Sequence, residues 1–281
     1  MTARPSTPSL SRLLELLELE QPRVVSRQRL EEWAQEAGIS WPTNVVLQRL
    51  RQRGWLLDLK TRGVWEFAPA ARAGAFGADD PLIELRATLE RRPSAPFAVA
   101  AESAAYLLGY ASRRPAREAV SAPAGVTVPP ALRAYRIVRW APRAPLAERE
   151  SLPVWSASTL VAFMAARPSL YRDWPNTGEW LGTAVAALEI DLVRHELEGR
   201  SRAAWARAAY LLDRGGQADL AAGLLEDAPR GSGPYYLGPR GRAGCHSSVF
   251  DVIDSTGLEE ARPIFAELNV WQADLAPING T

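Results

Sequence analysis

The sequence has very little of three residue types that often carry chemistry: one cysteine, two histidines and one lysine among 281 residues. A single thiol, Cys245, cannot form an internal disulfide, and with His195 and His246 it supplies too few ligands for an ordinary structural zinc site. We therefore expect neither a metal nor another cofactor. Because Lys60 is the only lysine, the other 32 basic residues are arginines. We attribute this preference to a high-GC coding bias and not to a function.

Long apolar runs are also absent. No stretch approaches the roughly 20 apolar residues that span a bilayer, and the first ten residues lack the apolar centre of a signal peptide. We therefore expect a cytoplasmic protein without a membrane partner. There is no internal repeat and no low-complexity tract, and 47% hydrophobic with 23% charged residues is typical of a globular protein with one or two cores.

Net charge is nearly absent, because 33 basic residues face 32 acidic ones. This balance excludes a uniformly basic, histone-like binder. It is uneven along the chain: residues 1–72 hold eleven basic and eight acidic residues, a net charge of +3, and the remainder holds 22 and 24, a net charge of −2. Between them, residues 68–81 are rich in small residues, glycine and proline. We place a linker there and predict two domains, 1–72 and 73–281.

Three helical patterns occupy the N-terminal part. Leucines three and four residues apart, with glutamates between them, predict an amphipathic helix over residues 10–20. Ser26 is a suitable N-cap for a second helix, which should end at Gly38. Pro42 fits the first position of a third helix, which should end at Gly54, a glycine suited to a left-handed C-cap.

The third helix has an apolar face and is followed by two strand patterns. Its inward face is predicted to hold Val46, Leu47 and Leu50. Residues 55–60 and 64–67 are separated by a short glycine-containing segment, which favours a β-hairpin whose tip carries basic side chains. Helix, helix, turn, helix and basic hairpin is the order of a winged helix-turn-helix. The predicted fold class is α+β, with this winged helix at residues 1–72.

The outward face of the third helix has side chains that suit DNA. An α-helix fits the major groove, where asparagine, glutamine and arginine match the edges of adenine and guanine. Basic residues at the hairpin tip and the helix end can neutralise phosphates. We therefore predict double-stranded promoter DNA as a partner. The candidate DNA-binding residues are Thr43, Asn44, Gln48, Arg49, Arg51, Gln52, Lys60 and Arg62.

Two alternatives apply to this helix face. Every surface helix presents polar residues opposite its apolar stripe, so the face could be solvated and nothing more. Some winged-helix modules also bind protein or RNA, and a net charge of +3 is modest for a DNA reader.

The larger domain is predicted as mixed α/β over 73–150 and mainly helical over 151–281. Its predicted helices lie at 82–91, 103–110, 156–169, 178–199, 202–216 and 217–228, and its predicted strands at 117–123, 134–142, 247–254 and 268–275, with a loop at 234–244. Successive packed helices favour an interaction surface over a catalytic cleft.

Three short motifs could suggest chemistry, but a structural interpretation fits each better. The glycine-rich stretch 231–244 lacks the ending of a P-loop and the frame of a dinucleotide-binding motif, so it predicts a flexible connection. Cys245 and His246 are sequence neighbours, whereas catalytic Cys/His pairs usually meet through the fold. His195 lies near a predicted helix C-terminus, where it can serve the last carbonyls. We therefore predict no catalytic residues and no enzyme.

Residues 24–69 resemble the N-terminal winged helix of AbiEi-type antitoxins, with the sequence RGWL at 53–56 leading from the third helix into the hairpin. Residues 152–174 and 202–225 resemble the C-terminal antitoxin region of the same family, so the resemblance spans most of the chain. It implies an antitoxin of a type IV toxin–antitoxin or abortive-infection pair. Its N-terminal domain would repress the shared promoter, and its C-terminal domain would counter a cognate nucleotidyltransferase-like toxin, by direct binding or indirectly.

Two functions follow from these patterns. The first is an antitoxin that represses its own operon and counteracts its toxin. The second is a stand-alone winged-helix transcriptional regulator whose larger domain senses a ligand or a partner. A nucleotidyltransferase gene immediately downstream would favour the first. An enzyme with an accessory winged helix is a third possibility, but it needs a convergent polar site that the sequence does not reveal.

Overall fold

The computed structural model describes residues 8–69, 79–238 and 242–258. By packing, the chain forms two compact units. The N-terminal unit contains the chain up to Phe97 and a second segment, Gly125–Arg136, and the C-terminal unit contains Ala98–Ala124 and the chain from Ile137 onward. Helices and strands are mixed along the chain, so the predicted α+β class is confirmed.

The N-terminal unit combines helices with three short strands. Its elements are α1 (Pro8–Glu20), β1 (Val24–Ser26), α2 (Arg27–Glu36), α3 (Thr43–Gln52), β2 (Leu56–Asp58), β3 (Val64–Phe67), α4 (Ile83–Arg91) and a 3₁₀-helix (Pro130–Ala134). The strands form an antiparallel sheet in the order β1–β3–β2. β1 has no counterpart in the prediction, because Val24 and Val25 alone are too short a signal. Pairing with β3, where Val25 lies opposite Trp65, makes them a strand.

The hydrophobic core of this unit is formed by α1, α2, α3 and the sheet. Its fully buried members include Leu10, Leu13, Leu17, Val25, Leu30, Val46 and Leu50. The predicted inward face of α3 is confirmed, with Leu47 packing partly buried against this core. Ser26 caps α2 as predicted, since its Oγ accepts a hydrogen bond from the Arg29 amide at 3.3 Å. Gly54 has a φ of +69°, the left-handed conformation predicted after α3.

α4 packs within the N-terminal unit. Asp80 Oδ1 accepts a hydrogen bond from the Leu82 amide at 2.9 Å, and Asp80 Oδ2 pairs with Arg86 Nε at 2.7 Å in a nearly buried ion pair. The Tyr135 hydroxyl, which follows the 3₁₀-helix, accepts a hydrogen bond from the Leu85 amide at 3.3 Å. The domain boundary at residue 72 stays a prediction, and the packing unit extends past it through α4.

The sheet of the C-terminal unit has five strands in the order β6–β5–β4–β8–β7. They are β4 (Ala98–Val99), β5 (Ala119–Ala122), β6 (Arg136–Arg139, which begins at the division between the units), β7 (Ala147–Arg149) and β8 (Leu152–Val154). β4 pairs antiparallel with β5 and parallel with β8, so that Val99 lies beside both Val120 and Val154. This central position explains why both residues of β4 are buried.

Six helices accompany this sheet in the described part of the unit. They are α5 (Ala101–Leu107), α6 (Ala157–Ala166), α7 (Trp174–Ala186), α8 (Ile190–Leu197), α9 (Arg202–Arg214) and α10 (Ala218–Glu226). α6 is buried from Ala157 to Ala165, because its side chains are almost all apolar or small. It packs against α5, α8 and α9 and so forms the centre of the unit.

The prediction of one helix over 178–199 is wrong, because the chain breaks between α7 and α8. Ser158 on α6 stabilises the break between the two helices. Its Oγ donates a hydrogen bond to the Glu189 carbonyl at 3.1 Å and accepts one from the Glu189 amide at 3.2 Å. The Glu189 amide thus bonds to a side chain instead of continuing α7, while the Glu189 carbonyl also accepts from the Leu192 amide at 3.1 Å and so begins α8.

A small second sheet follows α10. It holds β9 (Tyr235–Leu237), β10 (Cys245–Ser247) and β11 (Val252–Asp254) in the order β10–β11–β9. The loop predicted at 234–244 therefore contains β9, and the strand predicted at 247–254 is instead two strands joined by a turn. The Tyr210 hydroxyl donates to Asp254 Oδ2 at 2.9 Å and fixes β11 against α9. The strand predicted at 268–275 lies outside the described residues.

Candidate nucleic-acid interface

The residues predicted to bind DNA lie mostly in solvent. Thr43 and Arg49 are half-buried, and the others are exposed: Asn44, Gln48, Arg51, Gln52, Lys60 and Arg62. Asn44, Gln48 and Arg51 are spaced i, i+4 and i+7 on α3, which places their side chains along one face. The Asn44 and Gln48 side chains have no hydrogen-bond partner among the described residues. Their amide donors and acceptors are therefore available to a ligand.

The two arginines of α3 are held by neighbouring side chains. Arg51 forms an ion pair with Asp58 on β2, in which both side chains are about half exposed. The Arg49 guanidinium lies over the Trp41 ring, with its Cζ 4.0 Å from the ring centroid. These contacts leave most of the guanidinium donors unused, because each arginine carries five N–H groups. They orient both positive charges without removing them.

The connection between β2 and β3, residues 59–63, is the hairpin tip. It exposes the side chains of Lys60 and Arg62, while its backbone is tied to α4. The carboxylate of Glu84 accepts hydrogen bonds from the Lys60 amide at 2.6 Å and the Thr61 amide at 3.2 Å. Its Oε2 also accepts from the Thr61 hydroxyl at 3.0 Å. Gly63, with a φ of +81°, turns the chain into β3.

α3 and the hairpin tip together form one polar surface. The ion pair between Arg51 and Asp58 joins the helix to the hairpin directly. The helix contributes exposed amides and a guanidinium to this surface, and the hairpin contributes two exposed basic side chains. Such an arrangement can place hydrogen-bonding groups in a groove and positive charge against phosphates on either side of it.

Three residues that contact this surface were not predicted from the sequence. Asp58 follows Arg51 by seven residues, but only the turn at Gly54 brings the two together. Trp41 gave no signal beyond an aromatic residue in a turn. Glu84 is 24 residues from Lys60 and belongs to a helix that the sequence assigns to the other domain. A long-range contact of this kind has no local sequence signature.

The histidines and the cysteine, for which the sequence favours structural roles, lie on α8 and β10, and each histidine ring lies near a carboxylate close to it in sequence. His195 lies in the last turn of α8, as predicted, with its Nδ1 3.1 Å from Glu198 Oε2. Cys245 and His246 are consecutive residues of β10, so their side chains point to opposite faces of the strand. His246 Nε2 lies 3.1 Å from Asp251 Oδ1.

A second polar cluster, also missed in the sequence, lies in the C-terminal unit. Glu196 is fully buried, and its Oε1 accepts hydrogen bonds from the Arg143 amide at 2.8 Å and the Thr159 hydroxyl at 2.9 Å. The Arg200 guanidinium lies 3.8 Å from the Trp140 ring centroid. Burial lowers the pKa of Arg200, and the positive charge of Arg143 lowers it further. These contacts tie the C-terminal end of α8 to α6 and to the loop that follows β6.

Within the ranges 8–69, 79–238 and 242–258, histidine, cysteine, aspartate and glutamate side chains do not gather in groups of three that could hold a metal ion. In the same ranges, every helix is too short or too polar to cross a membrane.

The fold and this surface define a two-unit α+β protein in which one unit exposes a polar and basic helix–hairpin face. The match to a known family lies mostly in the other unit. Residues 97–214 match the family model described as the AbiEi antitoxin C-terminal domain. The predicted resemblance to AbiEi-type antitoxins is therefore confirmed over this segment, which holds β4 to β8 and α5 to α9.

A solved structure is similar to nearly the whole chain. It is the crystal structure of the RV2827C protein from Mycobacterium tuberculosis, which shares 27% sequence identity and superposes with a TM-score of 0.72. The similarity covers 96% of this chain and 97% of that one, so both units have counterparts there. No curated protein matches the chain.

Proposed function

We propose that this protein is a DNA-binding antitoxin that acts without catalysis. Its C-terminal unit would counter a cognate nucleotidyltransferase-like toxin, and its N-terminal unit would bind and repress the promoter of the shared operon. The observation that carries the proposal is the match of residues 97–214 to the AbiEi antitoxin C-terminal domain. An antitoxin needs a toxin to oppose, and repression of a shared promoter needs a DNA reader on the same chain.

The helix–hairpin surface supports the DNA half of the proposal. α2, α3 and the hairpin follow one another in the order of a winged helix-turn-helix, and β1 completes the sheet. Asn44 and Gln48 have free amides that suit adenine edges in the major groove, and Arg51 suits guanine. Because Asp58 holds the Arg51 guanidinium, its remaining donors point in a fixed direction when DNA arrives.

Base reading and phosphate binding should separate by mutation. We expect Gln48→Ala to weaken binding to the operator by about 1–3 kcal/mol while leaving binding to unrelated DNA nearly unchanged. Lys60→Ala should weaken binding to both DNAs alike and lower the salt dependence of log K by about one unit. Fluorescence anisotropy with the chain's own upstream DNA and a scrambled duplex, across a salt series, measures both effects.

The same assay can overturn the DNA half. If the wild-type protein does not bind its upstream DNA at low salt, the helix–hairpin face is a solvated surface. Equal losses on both DNAs for Gln48→Ala would assign α3 to backbone contact alone.

Co-expression tests the antitoxin half. We expect the adjacent gene product to arrest growth when expressed alone and the wild-type chain to restore growth. The Lys60→Ala protein, supplied from a foreign promoter, should still restore it, because DNA binding and toxin opposition use different units. A neighbouring product without toxicity would replace the proposal with a stand-alone regulator.

A further inference from the structure

The backbone amides of the hairpin tip have an unusual hydrogen-bond acceptor. In a hairpin the connecting residues usually bond within the turn or to water, but here two successive amides, of Lys60 and Thr61, donate to one carboxylate from another element. Thr61 adds its hydroxyl to the same carboxylate and lies 3.4 Å from the Thr88 hydroxyl. Thr61 is buried, although its neighbours Lys60 and Arg62 are exposed.

The carboxylate belongs to Glu84, in the first turn of α4. α4 is itself anchored at several points: through the buried Asp80–Arg86 ion pair, through the Tyr135 hydroxyl, and through Glu90, whose Oε1 accepts from the Ser26 hydroxyl at 2.7 Å. Ser26 is the residue that caps α2. α4 therefore holds both the N-terminus of α2 and the hairpin tip.

From this geometry we infer that Glu84 is a positioning residue for DNA binding: its carboxylate fixes the hairpin tip so that Lys60 and Arg62 meet phosphates at a set distance from α3. The inference rests on the proposed DNA-binding function and adds a residue to it. Without the clamp, the exposed tip would have to be ordered at the moment of binding, at a cost in conformational entropy.

The sign of the effect distinguishes positioning from simple electrostatics. Glu84 is an anion beside the two cations that would meet phosphate, so its removal raises the local positive charge. On electrostatic grounds alone, Glu84→Ala and Glu84→Gln would both tighten DNA binding. If Glu84 acts through the tip, Glu84→Ala must weaken binding, and Glu84→Gln, which keeps one acceptor oxygen, must weaken it less.

The experiment uses the full-length chain and its upstream operator DNA. We expect Glu84→Ala to bind about tenfold more weakly, the scale of one backbone residue that must be ordered. The loss from the double change Lys60→Ala and Arg62→Ala should also be several-fold smaller in the Glu84→Ala background than in the wild type. That coupling is a result that a general loss of stability does not produce. Hydrogen exchange at the Lys60 and Thr61 amides should become faster in Glu84→Ala.

Glu15→Ala is the charge-matched control. Glu15 is exposed on α1 and has no partner among the described residues, so its removal changes the net charge equally without touching the tip. It should bind DNA as tightly as the wild type or slightly more so. If Glu84→Ala does not fold, as judged by circular dichroism, the Glu84→Gln protein carries the same comparison.

The outcomes separate the inference from the proposed function. If the wild type binds the operator and Glu84→Ala binds equally or more tightly, the positioning role is wrong and the DNA-binding function stands. Full additivity of Glu84→Ala with the Lys60 and Arg62 changes would also overturn it. If the wild type does not bind the operator, the proposed function itself fails, whatever the exchange rates show.

Discussion

Arg51 and Asp58 form an exposed ion pair whose main effect is to orient a side chain. Both side chains are about half exposed, a setting in which such pairs contribute about 0–1 kcal/mol. The pair therefore matters for direction: it keeps a guanidinium pointing along the surface between α3 and the hairpin. Arg49 over Trp41 is held in a comparable way by a ring.

Tyr135 gives a residue-scale prediction with a definite pH dependence. Burial raises the pKa of its hydroxyl above the ordinary value of 10.0. The unfolded chain loses this proton near pH 10 while the folded chain retains it, so the free energy of unfolding should fall as the pH rises above about 10. Tyr135→Phe should lower the free energy of unfolding by about 1 kcal/mol at neutral pH, because the Leu85 amide keeps only the Leu82 carbonyl of its two acceptors. The free energy of unfolding of this variant should also fall less steeply at alkaline pH.

Urea unfolding of the wild type and Tyr135→Phe between pH 7 and pH 11 measures both effects. Tyr236→Phe is the matched control, since the Tyr236 hydroxyl has no hydrogen-bond partner among the described residues. Identical alkaline slopes for the wild type and Tyr135→Phe would contradict the prediction.

Among the elements, the break between α7 and α8 rests on one buried side chain. Ser158→Ala leaves the amide of Glu189 without its acceptor, while the Glu189 carbonyl keeps its bonds to the first turn of α8, so we expect a loss of about 1–3 kcal/mol in the free energy of unfolding. Ser201 stands at the start of α9 without a capping hydrogen bond, so Ser201→Ala should change stability by less than about 0.5 kcal/mol. Chemical denaturation followed by circular dichroism compares the two, and equal losses would speak against the Ser158 bonds as the cause.

What the sequence could predict at this scale follows from the range of the interactions. α1, α2, α3 and the hairpin depend on leucine spacing, the Ser26 cap and the Gly54 turn, which are local and visible. β1 depends on a partner strand much later in the chain, and the break at Glu189 depends on a hydroxyl 31 residues away. No local pattern encodes either of these contacts.

The candidate site divides along the same line. The exposed residues of α3 and the tip could be selected by helical spacing and residue type. Asp58 and Glu84, which orient the basic residues, could not, because each meets its partner only after the chain has turned or returned.

For the whole molecule, the N-terminal unit consists of two separate segments of the chain. A fragment ending at residue 97 lacks Gly125–Arg136, and with it the Tyr135 hydroxyl and the packing of the 3₁₀-helix on α4. We expect the N-terminal unit in this fragment to be roughly 3 kcal/mol less stable than in the full chain. Hydrogen exchange at the α4 amides measures the difference.

A fragment in which residues 125–136 are joined to residue 97 by a short glycine–serine linker is the matched control. It should recover most of the protection at α4. Equal protection of the α4 amides in the full chain and in the fragment without residues 125–136 would show that this segment does not stabilise the unit.

The path of the chain also has a consequence for how the sequences of related proteins can change. The segment Gly125–Arg136 completes the N-terminal unit, yet it lies inside the range that matches the AbiEi antitoxin C-terminal domain. Recombination that exchanged only the N-terminal part between relatives would separate α4 from the residues that pack on it. The side chains that pack α4 against the 3₁₀-helix should therefore change together among relatives, even where their DNA-facing residues diverge.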